Sequence, residues 1–166
     1  MKPKILTPIA LTIGILTAIA LNIPQAQNTT PAPANICEVK RVIDGDTIAC
    51  TNELRVRLCG IDAPESNQPL GMEAKQALIN LVAGQKVTMV VVDVDRYGRA
   101  IAEITTDKNI SVELVRSGMA HHYPQYSGIC PSKDKIITAE GEARGNKLGV
   151  WADGRSIKPW EWRKNK

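Results

Sequence analysis

Apolar and polar positions alternate along the first part of the folded region and then change period, and the changes mark out the elements. The run Cys37-Glu-Val-Lys-Arg-Val-Ile43 predicts a strand, Asp44-Gly45 a tight turn, and Thr47-Ile-Ala-Cys50 the returning strand. Asp-Gly between β-prone segments is a strong hairpin signal. Thr51-Asn52-Glu53 makes a second turn and Leu54 to Ile61 a third strand. The period then lengthens: Ala74, Ala77, Leu78, Leu81 and Val82 recur at helical spacing between Gly71 and Ala83, with Gly84 as the stop. Lys86 to Asp93, rich in valine, is a fourth strand, Asp95 to Arg99 a polar turn, and Ala100 to Thr105 a fifth strand. Asn109 to Gly118 predicts a capped helix, Pro124 to Ser132 a loop, and Lys135 to Arg144 a third helix weakened by Gly141. Strands interrupted by one helix and followed by two more predict an α+β fold. The barrel is five-stranded, Greek-key and of the OB type, with three α-helices, the first of them plugging one end.

The two ends of the chain read differently. Lys2 and Lys4 precede an uncharged, mostly apolar run from Ile5 to Leu21, and Asn-Ile-Pro-Gln-Ala26 follows. This pattern predicts a signal peptide over residues 1–26, cleaved after Ala26. The alternative is a membrane anchor, because the apolar run approaches a spanning length. Either way the domain lies outside the cytoplasm, periplasmic or secreted, with no stable membrane insertion once the signal is removed. Residues 27–35 form a polar, proline-bearing linker, residues 36–151 the domain, and residues 152–166 a basic tail carrying Trp160 and Trp162. The tryptophans either stack on bases or dock the tail on the barrel. Cys37, Cys50, Cys59 and Cys130 suit an oxidising compartment. They allow up to two disulfides in three pairings, or buried free thiols in strands, and with no C-x-x-C spacing a zinc site is not expected.

Composition adds limits. At 166 residues and 43% hydrophobic, the chain supports one domain with a proper core, filled without phenylalanine. Its net charge of +4 includes Lys2 and Lys4, and without them 19 basic residues face 17 acidic ones. That excess is too small to argue for nucleic acid, so placement of the charges must carry the case.

The chemistry gathers in three places. Asp46 opens the second strand and Asp62 closes the third, so in a meander both carboxylates can reach one ion. Oxygen ligands without histidine or cysteine select a hard cation, Ca²⁺ or Mg²⁺. Side chains alternate along a strand, which makes Asp46 the ligand and Asp44 its support. Arg57, set among apolar strand residues, calls for an anionic partner, and Arg99 follows Tyr97-Gly98 in a turn that can project it over the barrel. Two guanidiniums can grip a phosphate and stabilise its transition state. Glu65, on the proline-stiffened loop after Asp62, can orient or deprotonate water. His121 and His122 are not needed by this chemistry and are read as structural.

Ile43-Asp-Gly-Asp-Thr47, Arg57-Leu-x-x-Ile-Asp62-x-Pro-Glu65 and Asp95-x-Tyr-Gly-Arg99 resemble the motifs of the staphylococcal (micrococcal) nuclease family, the thermonuclease-like domains. Leu114 to Ala120 and Ala139 to Trp151 are similar to the same family's helical segments. The resemblance implies Asp46, Asp62 and the backbone carbonyl of Ala63 as Ca²⁺ ligands. It implies Arg57 and Arg99 as phosphate clamps, Glu65 as the base, and Arg96, Tyr97 and Tyr123 as substrate-binding residues. The activity implied is Ca²⁺-dependent cleavage of DNA and RNA by a monomer, gripping backbone more than bases and leaving 3′-phosphate ends. The stretch from Glu65 to the first helix is shorter than in the archetype, which bears on where Glu65 stands. The alternative is a catalytically silent OB module that binds nucleic acid or protein.

Overall fold

Strand pairing follows the alternation read from the chain. The computed structural model describes residues 35–154 and 156–165. In chain order the elements are β1 (Asn35–Val42), β2 (Thr47–Cys50), β3 (Arg55–Leu58), β4 (Ile61–Asp62), α1 (Gly71–Val82), β5 (Lys86–Val94), β6 (Ala100–Thr105), α2 (Ile110–Arg116), β7 (His121–His122), α3 (Lys133–Gly145) and α4 (Pro159–Trp162). Five of the strands close a barrel in the order β1-β2-β3-β6-β5, with β5 returning to β1. Every pair is antiparallel except β3 with β6, which is parallel. The expected five-stranded OB-type barrel is therefore present.

The barrel interior is aliphatic. Ile48, Val56, Leu58, Val87, Met89, Ala102 and Ile104 meet α1 through Ala74, Leu78 and Val82, and α2 through Leu114 and Val115. Each large aliphatic side chain so buried is worth about 1.5–3 kcal/mol, so many medium-sized residues suffice where phenylalanine is missing. Asn109 caps α2 as expected, its side chain accepting a bond from the Val112 amide at 3.1 Å.

Several expectations are corrected. The third strand does not run on from Leu54 to Ile61. Gly60 takes φ +75°, β3 ends before it, and the short β4 leaves the barrel to pair with β7, an element the pattern did not predict. Among the described residues there are four α-helices instead of three, because Pro159 starts a single turn in the tail. Gly141 does not interrupt α3. All four cysteines are paired, Cys37 with Cys50 and Cys59 with Cys130, which removes the free-thiol alternative. β1 begins at Asn35, inside the stretch read as linker. The signal segment 1–26 and residues 27–34 lie outside the described residues. Among the described residues no helix is long and apolar enough to cross a membrane.

Candidate active site

The floor of the site is made where the β1–β2 hairpin meets β3 and β4. The Asp44 carboxylate accepts a bond from the Asp46 amide at 3.1 Å, a local turn that leaves Asp46 itself buried. Gly45 is needed for close approach: a Cβ there would lie 2.6 Å from Ala63 Cβ and 2.9 Å from Ala74 Cβ. With no side chain in the way, the Ala63 amide donates to Asp46 Oδ2 at 2.8 Å. Asp46 Oδ1 accepts from Thr47 Oγ1 at 3.1 Å and from Arg57 Nη1. The other arm of Arg57, Nη2, donates to Asp62 Oδ1 at 2.7 Å. One guanidinium thus bridges both aspartates, and Asp62 is fully buried. Burial and the charge of Asp46 push the Asp44 carboxyl up to about 6. Burial also raises Asp62, against the opposing pull of Arg163 and Arg57. On Arg57 burial works against the charge, but the Asp46 and Asp62 carboxylates outweigh it and hold the guanidinium above its ordinary pKa.

The rim comes from a single turn and a loop. Asp95 Oδ1 accepts from the amides of Tyr97 and Arg99, at 2.9 and 3.0 Å, while Asp95 Oδ2 takes Arg99 Nε at 2.7 Å. Tyr97 stands exposed between Arg96 and Arg99, whose guanidinium carbons lie 5.4 and 5.5 Å from its ring centre. Glu65 is carried by a loop folded on itself: the Gln68 amide donates to Glu65 O at 2.7 Å, and the Glu65 amide to Gln68 Oε1 at 3.2 Å. The short connection to α1 therefore still fixes Glu65. Of the residues assigned to metal, phosphate, water or substrate in the sequence, all but Asp62 line one cleft of about 610 Å³. Asp62 lies behind the lining, covered by Arg57 and by Arg163, which the sequence reading missed.

Two carboxylates under an arginine, with a second arginine and a glutamate on the same cleft, are the arrangement the motifs predicted. Residues 55–153 match the profile of the family described as staphylococcal nuclease homologue. The chain is 39% identical to a micrococcal nuclease of Shigella flexneri over 140 residues, 76% of this chain and 79% of that protein. This chain belongs to the staphylococcal nuclease family. It is also 38% identical to an uncharacterised endonuclease of Haemophilus influenzae, over 78% of this chain and 74% of that one. Two plant relatives are longer. The chain spans 32% of a 38.1 kDa protein of Capnoides sempervirens, at 42% identity, and 33% of a probable staphylococcal-like nuclease of Oryza sativa subsp. japonica, at 41%.

Within this staphylococcal nuclease homologue, Arg57, Asp62, Glu65 and Arg99 fall inside the matched residues, while Asp46 and Arg163 fall outside them. Asp46 and Asp62 offer hard oxygen donors around one point of positive charge. Among the described residues no group of three or more histidine, cysteine or acidic side chains is arranged to hold a metal. Asp46 and Asp62 could supply some of the 6–8 oxygens that a hard cation such as Ca²⁺ takes, with the rest left to other donors. Tyr123 does line the cleft, but Trp160 covers one of its faces, the rings parallel within 3° and 4.8 Å apart. The tail is docked, with Trp162 Nε1 donating to Asn67 Oδ1 at 3.3 Å. His121 is buried without a hydrogen-bond partner on either ring nitrogen, and His122 Nε2 lies 2.8 Å from Ser127 Oγ, so neither faces the proposed chemistry. The tail's basic residue after two tryptophans was the one available signal for Arg163.

Proposed function

We propose that the protein is an exported nuclease that hydrolyses phosphodiester bonds of DNA and RNA, with Ca²⁺ bound at Asp46, Asp62 and the Ala63 carbonyl. The observation that carries this reading is Arg57, which bridges the two aspartates on the floor of a cleft shared with Glu65 and Arg99. The cation supplies a Lewis acid that polarises the phosphate and neutralises charge as it builds. The chain's own residues do the rest. Arg57 and Arg99 grip the scissile phosphate and hold the extra negative charge of the transition state. Glu65 takes the proton from water as its oxygen bonds to phosphorus. The P–O5′ bond breaks, solvent protonates the departing 5′ oxygen, and the 3′ side keeps the phosphate. Arg96, Tyr97 and Tyr123 hold the flanking nucleotide. Such a site contacts backbone before base edges, so sequence preference should be slight. Two disulfides and the apolar N-terminal segment support export.

Digestion of plasmid and single-stranded DNA by the purified protein, with Ca²⁺ or with a chelator, tests the reading. The expected outcome is Ca²⁺-dependent cutting with 3′-phosphate products. A folded, Ca²⁺-supplied protein that binds both substrates and cuts neither would make it a silent binding module.

A further inference from the structure

Arg163 comes into the cleft from the far end of the chain. The preceding turn, α4, is held by the Trp160–Tyr123 stack, by Trp162 on Asn67, and by Gln68 Nε2 donating to Ile157 O. The next residue is Arg163. Its Nη2 donates to Asp62 Oδ2 at 2.7 Å, and its Nη1 to Asp62 Oδ1 at 3.1 Å and Glu65 Oε1 at 2.7 Å. A carboxylate offers roughly four lone-pair positions. Asp62 already gives one to Arg57 and two to Arg163. One guanidinium therefore occupies both the oxygens that a cation would need and the carboxylate that would act on water.

A divalent ion bound through Asp62 would stand beside that guanidinium, and like charges at this separation repel strongly outside bulk water. One of the two arginines must then yield. Arg57 projects from a barrel strand and its side chain is 16% exposed, whereas Arg163 sits on a surface turn and is 40% exposed. Arg163 has the freedom to leave.

We propose that Arg163 is a built-in competitor for the cation: it pairs Asp62 and Glu65 while no metal is bound, and must be displaced before Ca²⁺ can bind. This rests on the reading of Asp46 and Asp62 as ligands. Arg163 acts through these carboxylates and sets the Ca²⁺ concentration at which the centre fills. The arginine also keeps the two neighbouring acids neutralised and oriented in the metal-free protein, so the carboxylates already stand in place when it withdraws.

Calorimetric titration of the purified protein with CaCl₂ tests this, using the parent chain, Arg163→Gln, Arg163→Lys and Asp62→Asn. Arg163→Gln should bind Ca²⁺ about tenfold more tightly, because a neutral side chain no longer competes for the carboxylates. Arg163→Lys should fall between it and the parent, since a point charge cannot fork onto both acids. In parallel, Ca²⁺ should raise the melting temperature of Arg163→Gln more than that of the parent, and the chelated variant's melting curve shows that it folds. Unchanged or weaker Ca²⁺ binding by Arg163→Gln overturns the proposal. Asp62→Asn separates the two levels of argument: if it titrates like the parent, the ligand assignment itself is wrong. Lost binding in Asp62→Asn, together with an unaltered Arg163→Gln, condemns the competitor alone.

Discussion

The Asp46–Arg57–Asp62 cluster and the Asp95–Arg99 turn face one cleft, yet they are held in opposite ways. Arg57 bonds across to carboxylates from two other segments, and those carboxylates are almost wholly buried. Arg99 bonds to an aspartate four residues away within its own turn, the two side chains 26% and 18% exposed. The floor is a tertiary object whose members depend on one another. The rim is a local one that could be altered without disturbing the barrel. The two arginines should therefore share a role in catalysis and differ sharply in what they mean for stability.

Four substitutions press on that contrast. Arg57→Lys is the harshest: a lysine cannot bridge two carboxylates, so kcat should fall about 10³-fold. Stability should drop by about 3 kcal/mol as a buried acid loses its partner. Denaturant melts alongside steady-state kinetics measure both, and a stable Arg57→Lys protein would break the idea of an interdependent floor.

His121 probes the floor by pH, because it pairs with Asp62 in the β4–β7 ladder. Burial, with Lys158 and Arg144 nearby, pushes its pKa from 6.5 down to about 4. Between those values the unfolded chain binds a proton that the folded chain refuses. Stability must then fall as pH drops through that window, by up to about 3 kcal/mol. Asp44, raised by burial to about 6, tilts the other way, since its folded form keeps the proton longer than the unfolded one. The difference between His121→Phe and the parent isolates the histidine. A parallel pair of stability–pH curves would mean His121 does not titrate as described.

Glu65→Gln should lower kcat about 10²-fold and leave stability nearly unchanged, because its carboxylate is partly exposed and, among the described residues, pairs with the yielding Arg163. Retained turnover would remove Glu65 as the base. Arg99→Lys is mildest, about tenfold in kcat with stability within about 0.5 kcal/mol, since the charge survives but the fork does not. A large loss of stability there would show that the rim is not local after all.

Much of this was legible from the chain because its signals are short-range. Alternation gave the strands of the barrel, Asp44-Gly45 the hairpin, and Asn109 the start of α2. Asp46 and Asp62 do converge on Arg57, but Asp62 stands on β4 and not at the end of the third strand, where the meander argument placed it. What escaped depended on partners far away in sequence. Gly60 broke the third strand because β4 finds β7, a pairing that no local pattern announces. The disulfides could not be assigned from spacing, since Cys59 and Cys130 are 71 residues apart. Arg163 escaped for the same reason: its place is set by Trp160 meeting Tyr123 and Trp162 meeting Asn67.

One seam of the barrel decides when the two arginines meet. β3 and β6 are the only parallel neighbours in the barrel, joining residues 56–58 to residues 100–102, and Arg57 lies in that seam opposite Ile101. Until the seam shuts, Arg57 on β3 and Arg99 beside β6 stand at opposite edges of an open sheet, and contacts this distant in sequence form slowly. A chain whose barrel is still open thus carries its two guanidiniums apart. Under the nuclease reading proposed above, catalytic competence is switched on by barrel closure itself.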